Sequence, residues 1–442
     1  MPIPEERLLT GWGRSSRSPG LVITPGSQEE LLEALGRLSD RPLLARGAGR
    51  SYGDNALNAQ GYVIDMSRLR TIHSFDDRTG EVIVDPGVSI GELLHKFAPR
   101  GWIAPVSPGT QFVTMGGAVA NDVHGKNHDR DGSFGDHLQG FDLILPNGAL
   151  KRVDAVAEPE LFAGTLGGIG LTGLIARVTL RLKPVPSTML LVRERRIAGL
   201  EAFLEAFAEA RTRYGYSVGW IDGVARGRHL GRGILETADH TDGALALPKR
   251  RRIRMPFNLP SRTINSATVA CFNKLYYQRV PRRGRERRVD LEKFLYPLDS
   301  ILEWNRIYGR NGFVQFQCVI PDEASHRGMR TLLERVSLSG RASFLAVIKT
   351  LGRAGSGYLS FPRPGVTLAL DFPLTIHTRP LLDSLHDITL EHGGRVYLAK
   401  DACLTPLQFH RMYPAARDFA KLLARIDPSR RMRSDMSRRL EI

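Results

Sequence analysis

The chain has 442 residues, 42% of them hydrophobic and 24% charged, which is enough apolar sequence for two packed domains and too much for a disordered chain. Its three cysteines, Cys271, Cys318 and Cys403, are too few and too scattered for a disulfide framework or a cysteine-based metal site. A formal net charge of +16 favours anionic partners such as nucleic acid, phosphorylated metabolites or the inner face of a membrane.

The first residues, Met1 to Arg7, lack the charged-then-apolar order of a signal peptide, and no apolar run reaches membrane-spanning length, so a cytoplasmic protein is expected. Ser27-Gln28-Glu29-Glu30 is a capping box ahead of an amphipathic run to Leu38, which predicts a helix. The apolar run Pro42 to Ala45 reads as a strand feeding the tight loop Arg46-Gly47-Ala48-Gly49-Arg50-Ser51-Tyr52-Gly53-Asp54. Such a loop turns sharply and brings N–H groups close to an anion, with Arg46 and Arg50 adding charge, although one glycine pair after a strand is also an ordinary loop. Strands follow at Tyr62 to Met66 and Glu81 to Asp85, and Ser89-Ile90-Gly91-Glu92 caps a second helix toward Phe97.

The stretch Val106 to Gly135 puts hydroxyls and the pair Gly116-Gly117 before a short apolar run, then a polar loop. The N–H groups of Gly116, Gly117 and Ala118 are expected to open a helix whose unpaired first turn accepts a pyrophosphate, the plainer reading being a turn before a buried helix. Pro146-Asn147-Gly148 between apolar runs marks a hairpin. Gly168-Ile169-Gly170-Leu171-Thr172-Gly173 satisfies the dinucleotide fingerprint G-x-G-x-x-G, but a helical pattern precedes it and the strand Leu174 to Leu180 follows, the reverse of the order a Rossmann unit requires.

After Lys183-Pro184-Val185-Pro186 the texture changes, which places a domain boundary there. Strands at Met189 to Ile197, Tyr216 to Ile221, Phe313 to Ile320, Ser343 to Leu351 and Val366 to Phe372, with helices at Leu200 to Arg213, Glu323 to Val336 and Arg379 to Glu391, predict one antiparallel sheet with helices on a face. Between them, Pro248 to Arg288 carries thirteen Lys and Arg against the single acid Glu286, interleaved with Phe257, Phe272, Tyr276 and Tyr277. Runs of this kind are usually solvated and mobile; they also suit a lid that meets an anionic membrane, and no nucleic-acid module surrounds this one. The expected class is α+β: an anion-binding domain over 1–188, a substrate domain over 189–394 with a basic flexible lid at 244–288, and a return segment over 395–442.

Arg46 to Ser51, Pro108-Gly109-Thr110, Gly116-Gly117 and His124-Gly125 look like the flavin-binding domain of the vanillyl-alcohol-oxidase superfamily of FAD oxidoreductases. His124 to His128, Gly132-Ser133-Phe134-Gly135, Glu303-Trp304-Asn305-Arg306 and Ser434 to Leu440 resemble its decaprenylphosphoryl-ribose oxidase subfamily nearly end to end, thinning between about Ala244 and Arg288. The resemblance implies FAD, held by Arg46, Gly47, Ala48, Gly49, Arg50, Ser51, Pro108, Gly109, Thr110, Thr114, Gly116, Gly117, Ala118, Asn121, Asp122, His124, Gly125, Gly170, Thr172 and Tyr397. Arg50 stands where covalent members carry a flavin-linking histidine, which implies a non-covalent cofactor.

It further implies oxidation of a polyprenylphosphoryl pentose at C2, with a separate NAD(P)-dependent short-chain reductase completing an epimerisation and with peripheral contact to an anionic membrane. Lys400 matches the family's active-site lysine at the end of a strand, able to polarise a hydroxyl or accept its proton once desolvated; without the resemblance, an exposed lysine paired with Asp401 is the better reading. Tyr52 and His124 are the other catalytic candidates, His124 in the lesser role, and Gln317, Lys349, Thr367, Tyr397 and Lys400 the substrate-binding ones. His124 and His128 invite a metal, but Gly125 and Asn127 disfavour a helix there and no acidic third ligand is evident, so no metal is expected. Thr367 and Ala369 replace an asparagine and a cysteine of the subfamily, which leaves the sugar and lipid open. Two other readings use the same residues: an aldonolactone or alditol oxidase of soluble sugars, and a basic flavoprotein attached to membrane or nucleic acid.

Overall fold

A computed structural model describes residues 3–38, 41–260, 263–341 and 344–442. Met1, Pro2, the two residues Ser261 and Arg262 of the basic segment, and Ser343 at the expected start of a strand lie outside the described residues. The chain is α+β, with its sheets divided between a cofactor-type half and one large antiparallel sheet.

In the first half, Arg17–Ile23 and Leu43–Arg46 run parallel to Tyr62–Asp65, and Glu5–Thr10 adds an antiparallel edge. A second sheet orders Ile72–Asp76, Glu81–Val84, Leu174–Arg181, Leu138–Ile144 and Leu150–Val153. Asn147-Gly148 closes the hairpin between the last two, with Gly148 at φ 87°. The helix Ile90–Phe97 starts at the capping box of Ser89 and Glu92 and buries Leu93, Leu94 and Phe97. The fingerprint Gly168 to Gly173 is a glycine turn between the helix Pro159–Thr165 and the strand Leu174–Arg181, with Gly167, Ile169 and Gly170 all at positive φ.

The second half is an eight-stranded antiparallel sheet in the order Arg285–Asp290, Met189–Ile197, Gly233–His240, Tyr216–Ile221, Ala346–Leu351, Gly365–Pro373, Phe313–Pro321 and Arg395–Val396. The period-two alternation gives it two chemically different faces. Phe316, Cys318, Ile348, Leu368 and Leu370 pack beneath Phe203, Phe207, Met329, Leu332, Leu333, Leu381 and Leu385 of the helices Leu200–Arg213, Ser325–Ser339 and Thr378–Glu391. Burying each such side chain contributes about 1.5–3 kcal/mol. Pairing Gln317 with Ala369 and Lys349 with Thr367 puts the polar residues of the same strands on the opposite face.

The segment from Pro248 to Arg288 departs from the expectation of a flexible lid. It contains the helix Ser266–Gln278, capped by Asn265, and the strand Arg285–Asp290 on the sheet edge. The cause is a buried carboxylate: Glu194 accepts from Arg279 at 2.7 Å and Arg287 at 3.2 Å, and from Arg285. Desolvation would raise the Glu194 pKa, but these arginines hold it below the ordinary glutamate range. Part of the basic run is therefore structural.

The return segment packs back on the first half. Met432 bridges to Leu43, and Asp435 accepts from the Ala59 N–H at 2.8 Å. Arg439 forks onto both oxygens of Asp54 at 2.8 Å and reaches Asp401 at 2.9 Å and the Leu404 carbonyl at 2.7 Å. One core joins Ile169 and Leu171 of the first half, the sheet's helical layer, and Phe409, Phe419 and Leu440 of the return segment.

Replacing Arg439 with Met is expected to destabilise the fold by about 3 kcal/mol or more, since two buried carboxylates lose their cation. Arg439→Lys, which keeps the charge and loses the fork, should fall between. Midpoints of denaturant unfolding measure both, and a parent-like Arg439→Met midpoint would discount the clamp.

Candidate active site

The loop after strand Leu43–Arg46 is shaped from beneath by Arg46, whose guanidinium donates to the carbonyls of Ala56 at 2.9 Å and Thr10 at 2.7 Å. Gly49 has φ 63°, and a Cβ there would meet Arg46 Nη2 at 2.4 Å. Gly47 lies so close to the Thr114 hydroxyl that a Cβ would stand 2.2 Å from it. Above this support, the backbone N–H groups of Ala48, Gly49, Arg50 and Ser51 have no partner among the described residues. Arg50 lies 4.2 Å from the ring centre of Trp12 and 4.7 Å from that of Phe112, its Nε buried and unpartnered.

The helix Met115–Ala120 corrects one expectation. Its first turn is not free: Gly116 N–H donates to Pro86 O at 2.9 Å, Gly117 to Thr114 Oγ1 at 3.4 Å, and Ala118 to Thr114 O at 2.8 Å. Thr114 caps the helix and the neighbouring chain takes the rest, so the glycines provide close approach and the free donors lie in the loop Ala48 to Ser51. Asn121 donates to the Gly117 carbonyl and accepts from Asn55, whose own Oδ1 is buried without a partner.

Other expected cofactor residues divide by what their side chains do. A Cβ on Gly109 would meet nothing within 4 Å, and one on Gly170 only Leu44 at 3.7 Å, so both border open space. Gly125 is held tightly, since a Cβ would stand 2.7 Å from the Ser107 carbonyl next to Pro108. Thr110 donates to Asp299 at 2.8 Å, Thr172 shares a 2.9 Å hydrogen bond with Thr165, and buried Asp122 binds the Gly135 N–H and the Ser360 hydroxyl. Thr110, Thr172 and Asp122 are committed to protein partners rather than offering free polar atoms. Burial raises Asp122 to about 6.

The catalytic candidates come together where the sheet's polar face meets this half. Lys400 is not at a strand end: the strand stops at Val396, and Lys400 sits in the following turn, which closes through its N–H to Tyr397 O at 2.9 Å. Its amine stands 3.7 Å from the Tyr52 ring centre, and the Tyr52 N–H donates to Ala399 O at 2.9 Å. Asp401 turns away to Arg439 and to the N–H groups of Cys403 and Leu404, so it is not the lysine's partner. Gln317 Nε2 lies 3.0 Å from His124 Nε2 and 3.4 Å from the Thr367 hydroxyl. His124 Nδ1 is buried and unpartnered; its ring packs 5.2 Å from both Phe361 and Tyr397, and the Tyr397 hydroxyl donates to Asn121 O at 3.0 Å.

Electrostatics follow from burial. Desolvation, then Lys349, His128 and Lys400, push His124 well below the usual histidine range, so it is neutral. Desolvation pushes Lys400 down despite the opposing pull of Asp371, and lowers Lys126 and Lys349 to about 8. Tyr52 is raised by burial and stays a phenol. His128, pushed to about 4 by desolvation, is committed to Gly352 and Ser133.

Sequence reasoning missed Asp371, Gln315, Trp12 and Lys126. Asp371 accepts from Gln315 Nε2 at 2.5 Å and from the Tyr308 hydroxyl at 3.2 Å, and desolvation raises it out of the ordinary carboxylate range. The signal was present: Thr367, Ala369 and Asp371 alternate on one strand, as do Gln315 and Gln317 on its neighbour, so each pair recognised extends by two.

Comparison with known proteins agrees with this geometry. The FAD binding domain family matches residues 19–154. The decaprenylphosphoryl-beta-D-ribose oxidase of Mycolicibacterium smegmatis is 35% identical over 100% of this chain and 98% of its own. An uncharacterised Streptomyces coelicolor protein is 34% identical over 80% of this chain and 100% of its own. The mitochondrial D-lactate dehydrogenase (cytochrome) of Arabidopsis thaliana is 29% identical over 38% of this chain and 31% of its own. The chain belongs to the decaprenylphosphoryl-ribose oxidase family of FAD-dependent oxidoreductases. Its residues fit the cofactor: free N–H groups at Ala48 to Ser51, open space at Gly109 and Gly170, and orphaned polar atoms on Arg50, Asn55 and His124.

Gly47→Ala is expected to force the loop off Thr114 and weaken FAD retention about tenfold or more, about 1.4 kcal/mol. Titration of apoprotein with FAD, followed by flavin fluorescence, measures the change, with Gly36→Ala, where a Cβ meets nothing, as the control.

Proposed function

We propose that the protein oxidises the C2 hydroxyl of a polyprenylphosphoryl pentose of the decaprenylphosphoryl-ribose type to the 2-keto sugar, the first half of an epimerisation to the arabinose donor for cell-envelope glycans. The carrying observation is a series of partly buried amines. Lys349 feels the charge of Lys126, and Lys400 that of Lys349, while desolvation weakens all three. The amines of Lys349 and Lys400 have no hydrogen bond or ion pair among the described residues. A sugar joined to an anionic phosphodiester supplies a counter-charge for Lys349, which a free sugar does not.

FAD, when bound, supplies the acceptor for the hydride that leaves C2. Lys400, in its neutral form, takes the hydroxyl proton, and Asp371 is placed to bias that protonation electrostatically. Tyr52 lies under the amine and fixes its approach. Gln317 and neutral His124 form one wall, and Ala369, smaller than the subfamily's cysteine, widens the face on which Lys349 stands. Arg50, held between two rings, takes the place of a covalent flavin link, so the cofactor is non-covalent.

In the basic segment, Arg252 donates to Gln111 Oε1 at 3.0 Å, close in sequence to Pro108 to Thr110, and Ile253, Phe257, Phe272 and Leu275 are exposed. Cations beside exposed apolar side chains suit peripheral contact with an anionic membrane from which a lipid-linked sugar enters. No helix among the described residues is long and apolar enough to cross a membrane. The keto product requires a nicotinamide-dependent reductase as partner.

Anaerobic mixing with a polyprenylphosphoryl ribose should bleach the flavin, and acid precipitation should leave that flavin in the supernatant. Bleaching by free sugars or lactones alone would instead identify a soluble-sugar oxidase. Lys400→Met should keep FAD and slow bleaching about 10²–10⁴-fold. In the parent the bleaching rate should rise with pH as Lys400 deprotonates, levelling off below the ordinary lysine value of about 10.4, because burial lowers its pKa. Lys349→Gln should weaken lipid-phosphate binding about tenfold, through loss of a charged contact.

A further inference from the structure

A second cluster of metal-ligating side chains lies on the other side of the turn that carries Lys400. Asp383 and His386 are one turn apart on the helix Thr378–Glu391, and therefore share a face. Cys403 faces them from the segment after Lys400 and Asp401, and one ligand atom from each residue lies within 4.8 Å of the other two. His386 is 2% exposed and Cys403 5% exposed, and neither belongs to the flavin or sugar site. His386 Nδ1 is buried with no hydrogen-bond partner, although buried ring nitrogens are normally satisfied. Cys403 is a free thiol whose backbone is fixed by its N–H to Asp401 Oδ1 at 2.8 Å. The His386 ring packs 5.9 Å from Phe316, which holds it against the helix. Asp383 gives Oδ1 to Arg379 at 2.8 Å and keeps Oδ2, on a side chain 43% exposed that offers an entry path.

We propose that Asp383, His386 and Cys403 bind one divalent transition-metal ion, with Zn2+ the best match to the ligand set. A thiolate with an imidazole excludes Ca2+ and Mg2+, which take oxygen ligands, and three protein ligands leave a fourth tetrahedral position for water at the exposed side. A tetrahedral Zn2+ holds its ligands about 3.5 Å apart, so the three atoms close by about 1 Å, within the reach of side-chain rotation. Binding displaces the thiol proton to solvent. The ion would tie a helix behind the sheet to the segment running from Lys400 through Asp401 to Leu404, which Arg439 also holds. Counting cysteines misses it, because only one ligand is a cysteine.

The test uses the full-length holoprotein, stripped with a chelator and titrated with Zn2+ and with Co2+. One equivalent of Zn2+ per chain, a raised unfolding midpoint, and the tetrahedral d–d bands of Co2+ at wavelengths beyond flavin absorption are expected. Cys403→Ser and the surface-accessible Asp383→Asn should each weaken binding at least about tenfold. Failure of the stripped parent to take up one equivalent would overturn the proposal, as would undiminished uptake by both variants. His386→Gln is a third variant, read only if its unfolding remains cooperative.

Discussion

A single guanidinium holds the active-site half of this protein together. Arg439, near the end of the chain, sits between the carboxylates of Asp54 and Asp401 and also donates to the Leu404 carbonyl. Asp54 ends the loop that offers free N–H groups to the cofactor, and Asp401 follows Lys400. The same two segments touch through the Tyr52 N–H and Ala399 O, at a point where a Cβ on Gly53 would stand 1.8 Å from the Asp401 carbonyl. Two buried carboxylates repel unless a cation lies between them, so the loop, the turn and the last helix form as a unit or not at all. Through that constraint the amine of Lys400 is placed over Tyr52.

The second determinant is the division of labour across the large sheet. Its apolar face carries three helices and a continuous core, which fixes the register of every strand. Register in turn decides which polar residues meet on the other face: Gln315 with Asp371, Gln317 with Ala369, and Lys349 with Thr367. Desolvation there keeps His124 neutral and makes the amines of Lys349 and Lys400 poor places for a proton. Desolvation that is unfavourable for isolated charges thus sets the protonation of this face, as it does at perturbed sites generally.

The basic segment divides its charge between two jobs. Arg279, Arg285 and Arg287 converge on Glu194 and fasten the segment to the sheet, whereas the run from Lys249 to Arg254 lies beside exposed Ile253 and Phe257. Arg252 joins these roles, reaching Gln111 and Glu292 from the surface.

Local pattern alone determined much of this. The N-cap at Ser27, the capping box at Ser89, period-two alternation along Met189 to Ile197 and Phe313 to Ile320, and the order of elements around Gly168 to Gly173 are properties of short stretches, and sterics and burial read them in only one way. The pairing of Lys400 with Tyr52 instead of Asp401, the capture of Arg279 to Arg287 by Glu194, the filling of the Gly116 to Ala118 donors by Pro86 and Thr114, and the meeting of Asp383 and His386 with Cys403 were decided only in three dimensions. Each depends on which group lies across a gap of tens to hundreds of residues. A charge or a free N–H in a sequence shows what it can bond, and only the tertiary structure selects which partner reaches it first.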